Sequence, residues 1–245
     1  MEDFLKIKID TPYGIIGDIH GCLKEFEKIV KDIKRDYGKD CFIISVGDTV
    51  DRGDYNIETI EYCMHLYEEG NFIEVQSNHN YKFTRWLKGE NVKISYGMQK
   101  TIQQFNNLPE SKKFEIKERY LKYYSECPLY IIVNDDTIVA HAGIKDDMIG
   151  KKGSKVKDFV LYGETTGRFT KEGFPERIDW TKKRKVTPES KKIVYGHVVF
   201  REPYINNMCY GIDTGCVLGN KLTAYIPDEN RFIFQKAKKV YFSFK

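Results

Sequence analysis

Along the first third of the chain, short apolar runs alternate with stretches whose apolar residues recur at helical spacing. After Pro12 the run Tyr13 to Gly17 predicts a buried strand, and Leu23, Phe26, Ile29, Val30 and Ile33 then predict a helix that ends at Tyr37 and Gly38. The pattern repeats. Cys41 to Val46 predicts a second strand, Ile57, Ile60, Met64 and Tyr67 a helix closed by Gly70, and Phe72 to Val75 a third strand. Such alternation predicts an α/β fold with a mainly parallel sheet and right-handed crossovers.

The middle of the chain reads as helical, at Tyr81 to Leu87, Met98 to Phe105 and Ser111 to Tyr124, with a break at Leu108, Pro109 and Glu110. Residues 81–125 are therefore read as a helical insertion or cap. From Leu129 the pattern returns to strands, at Tyr130 to Val133, Ile138 to His141, Ile193 to Tyr195, Cys209 to Ile212, Leu222 to Ile226 and Arg231 to Gln235. Strands that cluster late predict a second sheet. Residues 145–192 are rich in Lys, Gly and Thr, with basic clusters at Lys151, Lys152, Lys155, Lys157 and at Lys182, Lys183, Arg184, Lys185. Such clusters serve either as a solvated face or as a rim that attracts phosphates.

At 245 residues, 41% of them hydrophobic, the chain can bury one substantial core, and a single domain over 1–245 suffices. The net charge of +4 permits an anionic substrate and allows nucleic acid without demanding it; it leaves the oligomeric state open. The six cysteines form no CxxC pair, which fits reduced thiols in a cytoplasm. The N-terminal MEDFLKIKID has no export-type apolar region, and no stretch approaches the ~20 apolar residues of a membrane span, so neither export nor a membrane is expected.

Histidine placement changes the picture. Four of the five histidines, His20, His79, His141 and His197, sit at or just past predicted strand ends, His65 being the exception. Ligands of open α/β sheets gather outside the carboxyl ends of strands, so these four can converge. Carboxylates accompany them: Asp18 and His20 form a DxH step with both side chains on one side of an extended chain, and Asp48 closes the second strand in GDTVDRG. Asn78 and His79 follow the third strand. Each Gly-Asp pair alone reads equally well as a turn; together the carboxylate, imidazole and amide groups suit manganese, iron, nickel or zinc.

The ordered strings GDIHG, GDTVDRG, NH, HAG and YGH resemble the signature of calcineurin-like metallophosphoesterases. The resemblance implies two packed mixed β-sheets flanked by helices. Further strings, HAGIKDDMIG at 141–150, LYGETTG at 161–167 and IDTGCVLGNKLTA at 212–224, look like those of bacterial asymmetric bis(5'-nucleosyl)-tetraphosphatases and of the phosphatase domain of bacterial polynucleotide kinase-phosphatase. No GxxxxGK[ST] phosphate loop occurs, so the kinase half is absent.

The resemblance implies two divalent cations, manganese first, with Asp18, His20 and His197 on one, Asn78 and His141 on the other, and Asp48 bridging. It implies hydrolysis by a metal-bound hydroxide, with Arg52 clamping phosphoryl oxygens, His79 as general acid and Asp51 orienting its ring; Arg52, Asn78 and His79 contact substrate. Asp213 and Tyr96 are placed near the metals on the same ground. The expected substrate is a phosphorylated small molecule or dinucleotide such as diadenosine tetraphosphate, cleaved to ATP and AMP. Alternatives are a serine/threonine-type protein phosphatase, an RNA-end 3'-phosphatase, and, from another class, a catalytically degenerate nucleotide-binding protein. Tyr96, Phe105, Tyr123, Tyr124 and Tyr162 are candidates for stacking on a base, or for core.

Two departures stand out. The family usually has Gly-Asn-His followed by an acidic residue, and this chain reads Ser77, Asn78, His79, Asn80. Asn80 removes a carboxylate that supports the motif. In ISYGM, Tyr96 stands where the nearest relatives lead one to expect a histidine.

Overall fold

In the computed structural model, which describes residues 3–171 and 173–243, the predicted β-α-β rhythm is present. A short strand β1 (Phe4–Ile7) precedes β2 (Tyr13–Ile16), α1 (Leu23–Tyr37), β3 (Phe42–Ser45), α2 (Asn56–Glu68) and β4 (Phe72–Glu74). β2, β3 and β4 pair in parallel, as the alternation predicts. Three helices follow, α3 (Asn78–Leu87), α4 (Met98–Asn106) and α5 (Glu110–Glu126). The first of them starts earlier than its apolar spacing indicates, so Asn78 and His79 occupy its first turn.

The second half contributes β5 (Tyr130–Val133), β6 (Thr137–Ala140), α6 (Ser154–Tyr162), β7 (Thr165–Phe169), β8 (Pro175–Arg177), β9 (Lys192–Tyr195), β10 (Tyr204–Asn206), β11 (Cys209–Gly211), β12 (Lys221–Ile226) and β13 (Arg231–Lys236). One sheet has the order β13-β12-β2-β3-β4 and the other β1-β5-β6-β9-β11-β10, while β7 and β8 form a separate hairpin. Both large sheets are mixed, as the resemblance implies: the early strands pair in parallel, and late strands return by short turns, so β5–β6, β10–β11 and β12–β13 pair antiparallel.

The two sheets pack face to face. Ile15, Ile44 and Val46 meet Ile131, Val139, Val194 and Ile212 between them. Neighbouring positions point the other way: Ile16 and Ile43 pack with Phe26 and Ile60 under the helices, and Ile132 and Ile138 pack with Phe159 and Trp180 beneath α6. Strands covered on both faces need apolar residues at every position, hence their unbroken runs. α4 and α5 pack on α2, and α3 packs on α5. All six cysteines are buried and unbridged, and no described helix is long and apolar enough to cross a membrane.

Candidate metal centre and cleft

Every predicted ligand lies where a strand stops. Asp18 and His20 follow β2, Asp48 follows β3, Asn78 follows β4 at the start of α3, His141 follows β6 and His197 follows β9. The chain turns sharply at these points: His20, Asp48, Asp51, Arg52, Tyr96 and His197 have φ of 47°, 49°, 74°, 70°, 58° and 67°. Left-handed backbone at a non-glycine residue costs about 1–3 kcal/mol and persists only where packing over-determines it. Gly196 shows how tightly the parts fit, since a Cβ there would fall 1.9 Å from Asp18 Oδ1.

Asp48 is the hub. Its carboxylate lies 3.5 Å from His20 Nε2 on one side and 3.5 Å from His141 Nε2 on the other. The His20 Nδ1–H donates to Val50 O at 2.7 Å and the His141 Nδ1–H to Val46 O at 2.8 Å. Each Nε2 therefore presents a lone pair to the centre. His141 Nε2 faces another acceptor, Asn78 Oδ1, at 2.8 Å. His197 Nε2 is buried and, among the described residues, has no hydrogen-bond partner.

The side chain of His197 corrects one detail of the expected grouping. Its Nδ1 lies 3.0 Å from His141 Nε2, so the ring belongs with Asn78 and His141. Only its backbone N–H reaches Asp18, at 3.1 Å from both carboxylate oxygens. The positive φ turns the amide toward Asp18 and the ring away from it.

Burial lowers the pKa of His20, His141 and His197, which keeps them neutral, the form that binds metal. Burial lifts Asp213 to about 6, and burial together with Asp213 and Asp48 lifts Asp18 well above the ordinary value. Acceptors facing each other and buried carboxylates raised by their neighbours are relieved by cations, so the donor set fits two first-row divalent ions.

Arg52 lies above this centre. Its Nη1 donates to His20 Nε2 at 2.8 Å, its Nη2 to His79 Nε2 at 3.0 Å and its Nε to the Tyr96 carbonyl at 3.3 Å. His79 donates from Nδ1 to Asp51 Oδ2 at 2.6 Å, and Thr101 Oγ1 donates to the other Asp51 oxygen at 2.6 Å. The loop 48–52 thus brings the three predicted catalytic residues into one chain of contacts.

Both motif departures are accommodated. Ser77 has an ordinary extended backbone, with φ of −131°, and its Oγ accepts the Asp48 N–H at 2.8 Å. Asn80 accepts the Thr49 N–H at 3.0 Å through Oδ1 and donates from Nδ2 to Glu74 Oε1 at 2.9 Å. The missing carboxylate is supplied from β4: Glu74 is buried and also accepts from Tyr123 Oη at 2.7 Å.

A cleft of about 440 Å³ opens from Asp48, Arg52, Asn78, His79 and His197. One wall comes from α3 with Tyr81, Lys82 and Arg85, the other from the hairpin with Phe174 and Arg177. Tyr96 and Tyr162 line it, whereas Phe105, Tyr123 and Tyr124 are core. The Lys-rich clusters do not line it. Arg184 is instead buried on Asp146 at 2.8 Å as a structural pair. Sequence reasoning missed Lys82, Arg85, Phe174 and Arg177 because nothing in their local spacing marks them.

Fold and centre define a class: the family described as calcineurin-like phosphoesterase matches residues 11–226, and the chain belongs to it. It is a metallophosphoesterase, a hydrolase that uses divalent metal ions. Among curated relatives, the asymmetrical bis(5'-nucleosyl)-tetraphosphatase PrpE of Bacillus subtilis (strain 168) is 39% identical over 224 residues, covering 87% of this chain and 89% of that protein. The protein of the same name from Geobacillus sp. (strain WCH70) is 39% identical over 227 residues, covering 89% and 90%. A solved structure assigned provisionally as a diadenosine tetraphosphatase superposes with a TM-score of 0.71 at 20% identity, covering 97% of this chain and 99% of the other. A Saccharomyces cerevisiae protein serine/threonine phosphatase superposes at 0.61 with 16% identity, covering 98% and 84%. At these identities the structural likeness is one of fold.

Proposed function

We propose that this chain is a two-metal phosphoesterase that hydrolyses dinucleoside polyphosphates such as diadenosine tetraphosphate, releasing ATP and AMP. The observation that carries the reading is the cleft, where Lys82, Arg85, Lys93 and Arg177 stand among Tyr81, Tyr96, Tyr162 and Phe174 next to the metal-ligand set. A polyphosphate chain between two aromatic bases asks for that combination of charge and ring surface. The names of the curated relatives support it.

Asp18 and His20 would hold one cation, Asn78, His141 and His197 the other, and Asp48 both; manganese is the first choice, with iron, nickel and zinc as alternatives. Bound there, the pair supplies Lewis acidity toward phosphoryl oxygens and toward water. Arg52 grips two phosphoryl oxygens with its fork, which lysine cannot do. In doing so it frees His79 Nε2 to take up a proton from solvent and pass it to the leaving oxygen, while Asp51 and Thr101 hold the ring in line. Arg177 and Lys82 offset the charge of the remaining phosphates.

In this reading the chain works as a single domain in a cytoplasmic setting, its 81–125 helices supplying one cleft wall. With all six ligands and the His79–Asp51 pair brought together, the degenerate binding protein is disfavoured. The test compares kcat/KM of the manganese-loaded enzyme for diadenosine tetraphosphate, a phosphopeptide and a 3'-phosphorylated oligonucleotide, with a chelated control. The dinucleotide should lead by at least about tenfold, a margin of ~1.4 kcal/mol. Preference for either of the others would replace this substrate.

A further inference from the structure

We infer that Tyr96 and Phe174, with Lys82 beside them, form a stacking seat for a purine base of the substrate, so that the β7–β8 hairpin is a specificity element. This rests on the substrate reading above.

The two rings come from opposite walls. Tyr96 belongs to the loop before α4 and is 40% exposed. Phe174 belongs to the hairpin, just before β8, and is partly buried. Their centroids lie 5.5 Å apart with planes inclined at 34°. Lys82 Nζ sits 5.8 Å from the Tyr96 ring centroid and donates to Ser95 Oγ at 2.9 Å; among the described residues it forms no salt bridge. An aromatic pair lining the cleft, beside a cation that forms no salt bridge among the described residues, offers an adenine ring a platform and the adjoining phosphate a counter-charge.

Tyr96 also ties base to phosphate. Its backbone is held at φ 58°, and its carbonyl accepts from Arg52 Nε, while the two Nη groups of the same guanidinium face the metal centre. A base seated on the ring is thereby set at a fixed distance from the clamp on the attacked phosphoryl group. Such a linkage selects which phosphorus of a long polyphosphate meets the centre. The other aromatics proposed from sequence for this role in the helices, Phe105, Tyr123 and Tyr124, are sealed in the core.

Two readouts test the seat. The first is quenching of 1,N6-ethenoadenosine triphosphate fluorescence by the chelated, metal-free protein. The second is the ratio of kcat/KM for diadenosine tetraphosphate to that for p-nitrophenyl phosphate with manganese. Tyr96→Ala and Phe174→Ala should each weaken probe binding and lower the ratio by about tenfold or more, and Tyr96→Phe should restore both. Thermal melts check that each variant folds. Alanine variants that bind the probe and keep the ratio as wild type does would overturn the seat, even where the wild type cleaves the dinucleotide. A wild type that binds the probe through Tyr96 and Phe174 yet leaves the dinucleotide intact would sink the substrate reading and keep the seat.

Discussion

The Asn80 Nδ2 amide donates to Glu74 Oε1 at 2.9 Å, so the residue that departs from the family motif is the donor that a buried carboxylate on the neighbouring strand requires. Asn80 also holds the Thr49 N–H through Oδ1 and so supports the turn that carries Asp48. Restoring the usual acidic residue should therefore do harm. Asn80→Asp should cost about 1–3 kcal/mol, because two buried carboxylates would meet where a hydrogen bond stood. Chemical denaturation checks it, and Glu74→Gln in the same chain should recover most of the loss. An Asn80→Asp variant as stable as wild type would show that Glu74 tolerates the change unaided.

Glu74 gives stability a distinct pH dependence. Burial raises its pKa from 4.5 to about 7. The folded state thus holds this proton more tightly than the unfolded one. The contribution is complete below about pH 4.5 and is lost as pH rises through about 7. Over that window wild-type Tm should fall relative to Glu74→Gln. Parallel Tm curves for the two proteins would contradict the assignment.

His79 is tied to Asp51 at 2.6 Å and faces Arg52. If it delivers the proton to the leaving oxygen, its value depends on how poor the leaving group is. His79→Ala should lower kcat by about 10²–10⁴ for a dinucleotide or an alkyl phosphate, and by less for p-nitrophenyl phosphate. A uniform loss across leaving groups would assign His79 to binding.

Gly97 follows Tyr96 with φ of 91°, and a Cβ there would sit 2.5 Å from Arg52 Cγ and 2.8 Å from Arg52 N. Gly97→Ala should displace the guanidinium and lower kcat/KM by about a hundredfold, as ~1 Å misplacements do. Steady-state kinetics beside a thermal melt separates this from unfolding. Activity at the wild-type level would show that Arg52 does not depend on this contact.

The convergence of Asp18, His20, Asp48, Asn78, His141 and His197 was legible because each stands beside an apolar run that stops, and strand ends converge in this class of sheet. The grouping of His197 was not, since it depends on a left-handed turn that sends its amide and its ring to different neighbours. β1 was missed because its partner β5 lies far along the chain, and pairing of that kind leaves no local mark. α6 was hidden in a lysine-rich stretch whose apolar residues Val156, Phe159, Val160 and Leu161 are few. β7 is exposed along its whole length, so no alternation marks it. The cleft residues on and beside that hairpin, Phe174 and Arg177, were illegible for the same reason.

Incubating the manganese-loaded protein with diadenosine tetraphosphate, and resolving the nucleotides by chromatography as the reaction proceeds, tests the substrate and the point of cleavage together. ATP and AMP should form in equal amounts from the first time point, and chelation or Asp48→Asn should abolish both. Two molecules of ADP per substrate, or an intact dinucleotide beside active hydrolysis of p-nitrophenyl phosphate, would contradict the proposed cleavage.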